Sequence, residues 1–185
     1  MIYFLRHGLD DEGYIGGWSD VDLTSVGYEQ VKEICSLLER LPIKKIISSD
    51  IKRARTTSQI VSQYLNVPVE HSYKFRELDK GDLTGMEKSS ALIQYPEYMG
   101  ELAVNTKFPN GESLMDLYDR VKLLLEEISD WDEVLIVTHR GVINMIYFIL
   151  QNRLPDYDKK QFGVTHASVH ECDIKQKIIK KIGGK

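Results

Sequence analysis

Apolar positions along the chain fall into two kinds of run. The short unbroken ones are Ile2-Tyr3-Phe4-Leu5, Ile46-Ile47 and Val134-Leu135-Ile136-Val137. They are too short for helices and stop abruptly at polar residues, as strands buried on both faces do. The longer ones recur every three or four residues: Val31, Ile34, Cys35, Leu38 and Leu41 before Pro42; Ala54, Ile60, Val61, Tyr64 and Leu65 before Asn66 and Pro68; and Leu114, Leu117, Val121, Leu124, Leu125 and Ile128. Each predicts an amphipathic helix. Leu23-Thr24 opens the first, a Ser/Asp cap in Ser48-Ser49-Asp50 opens the second, and Ser113 with Asp116 forms a capping box for the third. Residues 142–152 are nearly all apolar and predict a helix buried against a sheet, broken by Leu154-Pro155.

A short strand is expected over residues 67–70, and two edge strands over 168–174 and 177–182, the last rich in lysine as exposed edges tend to be. Strand alternating with helix implies parallel pairing through right-handed crossovers. The fold class is therefore α/β, a three-layer α/β/α sandwich with a mostly parallel sheet. Residues 71–112 interrupt the alternation, with a helix only around 87–95 and a turn at Pro109-Asn110-Gly111. So long an irregular segment is expected to act as a lid or binding loop over the strand ends. A chain of 185 residues, 42% hydrophobic, supports one sizeable core, so a single domain over 1–185 with its lid at about 71–112 is expected.

Composition narrows the function classes. A net charge of −4 argues against a general nucleic-acid binder, and no apolar run approaches the ~20 residues that span a membrane. The chain opens on a core strand, which leaves no secretory leader, and a cytoplasmic setting follows. Cys35 and Cys172 have no metal or redox spacing and read as reduced core thiols.

The chemistry gathers at strand ends. Arg6 and His7 close the first strand, Arg53 lies in the first turn after the second, and His139 and Arg140 close the third. In an open parallel sheet that edge binds ligands. Cations stacked there, beside helix N-termini, call for an anion, a phosphate or carboxylate. A histidine kept neutral by neighbouring arginines can attack phosphorus, with a backbone carbonyl fixing its tautomer. The guanidinium forks of Arg6 and Arg53 match phosphoryl oxygens, and His139, if protonated, adds a donor. Glu77, in the lid, is the candidate acid for the leaving alkoxide, partial burial favouring its protonated form. Arginines beside His7 and His139 would repel a metal cation, so neither metal nor cofactor is expected. His71, His166 and His170 read as surface or edge-strand residues. Tyr14 and Trp18, in the polar loop over residues 9–22, either line a pocket mouth or cover core.

These residues carry a resemblance. Arg6-His7-Gly8; Gly17-Trp18-Ser19-Asp20-Val21-Asp22-Leu23-Thr24 with Gly27; Ser48-Ser49-Asp50 with Arg53-Ala54 and Thr57; Arg76-Glu77-Leu78 with Gly81; Pro109-Asn110-Gly111-Glu112-Ser113; and Thr138-His139 with Gly141 follow the order of motifs in the histidine phosphatase superfamily, which includes phosphoglycerate mutases. The set spans nearly the whole chain. The resemblance implies a phosphoglycerate mutase-like fold and phosphohistidine formation on His7. It also implies phosphate clamping by Arg6 and Arg53, acid then base catalysis by Glu77, and an oxyanion donor in His139. Gly8, Gly17, Trp18, Arg140 and Gly141 are assigned to substrate binding, Arg140 toward a second anionic group.

The chain lacks the extra segments of the longer mutases, so the resemblance favours metal-independent hydrolysis of a small phosphomonoester. Compact relatives of this kind include α-ribazole phosphatases and broad-specificity phosphatases. The alternatives are a mutase-type transfer, or a phospho-ligand or protein-binding module with little turnover. The expected partner is a small phosphorylated metabolite, with the protein a monomer or homodimer. Three positions depart from the family pattern. Leu9-Asp10-Asp11 replaces the usual Glu and Ser or Thr, with Gly13 where an Asn is common; Thr84-Gly85 replaces Glu-Gly; and Arg140 replaces Gly. Two carboxylates beside an anion site are expected to point away from it.

Overall fold

The structure, a computed structural model, describes residues 1–158 and 160–184. Its elements are β1 (Ile2–Arg6), α1 (Ser25–Leu38), β2 (Lys45–Ser49), α2 (Lys52–Leu65), β3 (Val69–Ser72), α3 (Lys88–Gln94), α4 (Leu114–Glu127), β4 (Val134–Thr138), α5 (Arg140–Leu150), β5 (Val169–Asp173) and β6 (Ile178–Gly183). The sheet order is β3-β2-β4-β1-β5-β6. Four strands are parallel and β5 and β6 run antiparallel at one edge. The mixed sheet with helices on both faces is the α/β sandwich expected from the alternation.

The alternation of side chains along β1 builds two cores. Ile2 and Phe4 pack with α4 and α5, while Tyr3 and Leu5 pack with α1 and α2. β1 and β4 lie side by side in register, Arg6 opposite Thr138, so His7 and His139 emerge next to each other where both strands stop. That adjacency is what the rest of the site is built on.

Capping decides where the helices begin. Thr24 accepts from Gly27 N and starts α1, and Ser113 and Asp116 bond reciprocally at the start of α4, as their spacing implies. The Ser/Asp cap expected for α2 does not form. Ile51 takes the N-cap position with no side-chain bond, because Asp50 is held by Arg76 in a two-pronged pair at 2.7 and 2.6 Å and Ser49 turns toward His139. β3 starts two residues later than expected, since Asn66 in the left-handed region and the Val67–Ser62 bonds first close α2. α5 begins at Arg140 and ends at Leu150, two residues ahead of expectation at each end. Gln151 and Asn152 turn the chain before Leu154-Pro155 is reached.

The segment between β3 and α4 is folded on itself by its turns. Gly81 has φ +51°, and a Cβ there would lie 1.8 Å from the Pro109 carbonyl oxygen. Gly81→Ala should therefore cost about 2 kcal/mol or more, read as a lower denaturation midpoint with an unchanged m-value. Cys35 and Cys172 are buried free thiols, and burial pushes them up to about 11 and about 12. Among the described residues no helix is long and apolar enough to cross a membrane.

Candidate active site

The strand ends, the N-terminus of α2 and the lid meet around a cavity of about 320 Å³ lined by Arg6, His7, Asp10, Arg53, Glu77 and Arg140, among others. His7 is fully enclosed. Its Nδ1 lies 2.7 Å from its neighbour's carbonyl, Gly8 O, which fixes the proton on that nitrogen. Nε2 is left as the acceptor, 3.3 Å from Arg53 Nε. Burial first, then the charges of Arg53 and Arg6, hold the imidazole well below its ordinary range, so Nε2 is unprotonated at neutral pH.

Arg53 is 2% exposed. It donates to Gly17 O at 2.7 Å and to Ser19 O and Oγ at 3.3 Å. Arg6 donates to Val164 O at 3.0 Å, and its Nη2 lies 2.5 Å from His166 Nε2. Burial, with Arg140 nearby, brings Arg6 down to about 10. The guanidiniums are thus fixed by backbone carbonyls before any ligand arrives, the preorganisation that stabilises developing charge.

The His139 ring centroid is 5.1 Å from that of His7, and its Nε2 lies 2.9 Å from Ser49 Oγ. Burial and the nearby arginines hold it well below the usual imidazole range. Its Nδ1 is buried with no partner among the described residues.

Glu77 is clasped from both ends. Trp18 Nε1 and Arg120 Nη2 donate to its carbonyl at 2.7 and 2.8 Å, while Leu78 N and Gly141 N donate to its carboxylate at 2.9 and 3.1 Å. A Cβ on Gly141 would lie 2.1 Å from Glu77 Oε1, so glycine is required there for the carboxylate to dock against α5. Trp18 does not line the cavity. Its ring sits 4.6 Å under the Arg76 guanidinium and its indole positions Glu77, so its part in the site is indirect. Gly8 also lies outside the lining, packed against the Gly27 carbonyl, whereas Gly17, Arg140 and Gly141 do line it.

Three residues are placed against expectation. Asp10 does not point away: its Oδ2 is 3.4 Å from Arg53 Nε and its Oδ1 is 3.6 Å from His166 Nε2. A buried carboxylate among cations gains more from pairing than it loses by desolvation, and it is held well below the usual range. His166 is no surface residue, its ring lying 5.7 Å from that of His7. His170 is likewise buried, bonded to Tyr147 and Ser168. Sequence spacing carried no signal for His166, because the loop before β5 reaches the site only through the antiparallel return to β1. Arg120, paired with Glu112 from the Pro109-Asn110-Gly111-Glu112-Ser113 stretch, was equally invisible. His7, Asp10 and His166 offer ligand atoms within 4.8 Å of one another, but Arg53 and Arg6 stand against them and disfavour a cation.

The profile of the histidine phosphatase superfamily (branch 1) matches residues 2–181. The chain belongs to the histidine phosphatase superfamily. This places it among enzymes of phosphatase or mutase type. A probable phosphoglycerate mutase, GpmB of Escherichia coli, is 27% identical over 187 aligned positions, covering 96% of this chain and 86% of that protein. Among solved structures, a putative α-ribazole-5′-P phosphatase from E. coli superposes with a TM-score of 0.81 at 22% identity, over 98% of this chain and 93% of that one. A mycobacterial glucosyl-3-phosphoglycerate phosphatase superposes at 0.75 with 24% identity, over 91% and 87%. The likeness to both structures is one of fold, which this histidine phosphatase shares through its six-stranded sheet and flanking helices.

Enclosing so many imidazoles in neutral form has a stability cost in acid. His7, His139 and His170, the last at about 4, bind protons more weakly when folded than the ordinary 6.5 of an unfolded chain. Stability is then complete above pH 6.5 and falls as pH drops below it, by up to about 1.4 kcal/mol per pH unit per imidazole. Urea midpoints should decline steeply between pH 6.5 and 5.

Proposed function

We propose that this histidine phosphatase hydrolyses a small phosphomonoester, without metal, through a phosphohistidine on His7. The observation that carries the reading is the Nε2 lone pair of His7 facing Arg53, with Arg6 and His139 around it. In this reading Nε2 attacks phosphorus and the P–O ester bond breaks. Arg6, Arg53 and His139 hold the equatorial oxygens, and Glu77 gives its proton to the departing alkoxide. Glu77 then takes a proton from water as that water attacks the phosphohistidine, and inorganic phosphate leaves with His7 restored.

The activities of the relatives, a probable phosphoglycerate mutase and two phosphatases, agree on phosphoryl chemistry and differ on acceptor. Assay with p-nitrophenyl phosphate and metabolite phosphates in EDTA tests the proposal. Phosphate release without a bisphosphate primer supports hydrolysis. Transfer that requires such a primer would favour the mutase reading, and inertness of every ester would favour a binding module.

A further inference from the structure

We propose that Asp10 is a displaceable internal anion: its carboxylate competes with the phosphoryl group for Arg53, which weakens phosphate binding and promotes departure of the product. The inference rests on the reading of this site as a phosphate cradle, and it concerns a residue that the phosphoryl chemistry itself does not use.

The competition follows from how Arg53 spends its hydrogens. Nη1 gives to Ser19 O and Oγ and Nη2 to Gly17 O, while Nε, with its single hydrogen, turns to the site. Two groups reach for that hydrogen, His7 Nε2 at 3.3 Å and Asp10 Oδ2 at 3.4 Å. A phosphoryl group bonded to Nε2 brings its own oxygens there, and the Asp10 carboxylate must give the hydrogen up. The same carboxylate also reaches toward the second clamp. Its Oδ1 lies 3.6 Å from His166 Nε2, and that nitrogen is 2.5 Å from Arg6 Nη2. Asp10 therefore stands between the two guanidiniums assigned to the phosphoryl oxygens, with ligand atoms of His7, Asp10 and His166 all within 4.8 Å of one another. Two anions in so small a volume repel, and one must withdraw.

Protonation does not relieve that repulsion at neutral pH. Burial works against a charge on Asp10, but its contacts with His166 and Arg53 outweigh burial and hold the carboxyl well below the usual range. Movement is what remains. The main chain is fixed, since Asp10 bridges to Leu23 and Leu9 O accepts from Thr24 N and Oγ1 at 2.8 and 3.1 Å. The side chain is 15% exposed and lines the cavity, so it can turn about its own torsions toward the mouth.

Calorimetric titration with inorganic phosphate at neutral pH and fixed ionic strength tests this on wild type, Asp10→Asn, Asp10→Ser and Asp11→Asn. Asp11 is the control, because it too lines the cavity but is exposed and accepts from Gly13 N at 2.8 Å. Both Asp10 variants should bind phosphate about tenfold or more tighter than wild type, and Asp11→Asn within about twofold of it, since exposed charges are screened. The fitted stoichiometry reports the folded fraction, so a poorly folding variant does not disguise its affinity. Equal or weaker binding by both Asp10 variants would overturn the proposal and make Asp10 a residue that positions the clamps. Tightening by Asp11→Asn as large as theirs would overturn it as well, assigning the effect to the net charge of the rim. If none of the four proteins binds phosphate, the reading of the site as a phosphate cradle fails and this inference with it. Absence of p-nitrophenyl phosphate hydrolysis alone strikes the phosphatase reading, and the binding comparison still decides the part played by Asp10.

Discussion

His7→Ala removes phosphate release from every ester and leaves the folded protein intact. The expected loss is on the order of 10⁴–10⁶ in kcat, the scale seen when a nucleophile that works with its neighbours is deleted. It should be accompanied by loss of acid-labile ³²P labelling in a rapid quench. The reason lies in atoms already placed: His7 Nε2 is the imidazole nitrogen that Arg53 Nε meets. His139 bonds Ser49 through Nε2, and the His166 Nε2 faces Arg6. Because burial holds His7 neutral, alanine also removes a group whose protonation weakens the fold in acid. The variant's urea midpoint should therefore depend less on pH than that of wild type. Equal turnover by His7→Ala and wild type would end the phosphohistidine account.

Glu77→Gln should show a loss graded by leaving group. For alkyl phosphates, whose alkoxide needs a proton to depart, the expected drop is roughly 10²–10⁴ in kcat/KM. For p-nitrophenyl phosphate, whose phenolate leaves unaided, the drop should be far smaller. Leu78 N and Gly141 N donate to different oxygens of Glu77, Oε1 and Oε2, so glutamine keeps only one of the two contacts and the variant's urea midpoint is read beside its rate. A uniform loss across both ester types would assign Glu77 a positioning role, with Asp10 the remaining carboxylate close to His7.

The parts of the molecule legible in the sequence were those set by local rules. Buried strands read as unbroken apolar runs, Thr24 and Ser113 capped as their spacing implies, and the tandem strand ends placed His7 and His139 together. What escaped was set by contacts between distant segments. Asp50 was taken from its helix by Arg76, twenty-six residues away, and His166 was carried into the site by a loop with no periodicity to read. Asp10 is the sharper case. Electrostatic reasoning sent it away from an anion pocket, yet Arg53 holds its carboxylate at 3.4 Å.

Arg53 reaches Gly17 and Ser19 on one side and His7 on the other, from inside the protein. The group proposed to grip an oxyanion is thus also the peg that pins the loop after β1 to α2. Work on this enzyme that trades Arg53 for a shorter or neutral residue would loosen the architecture and the chemistry in one stroke. A surviving rate, in turn, certifies that the amino-terminal third of the polypeptide has reached its native arrangement.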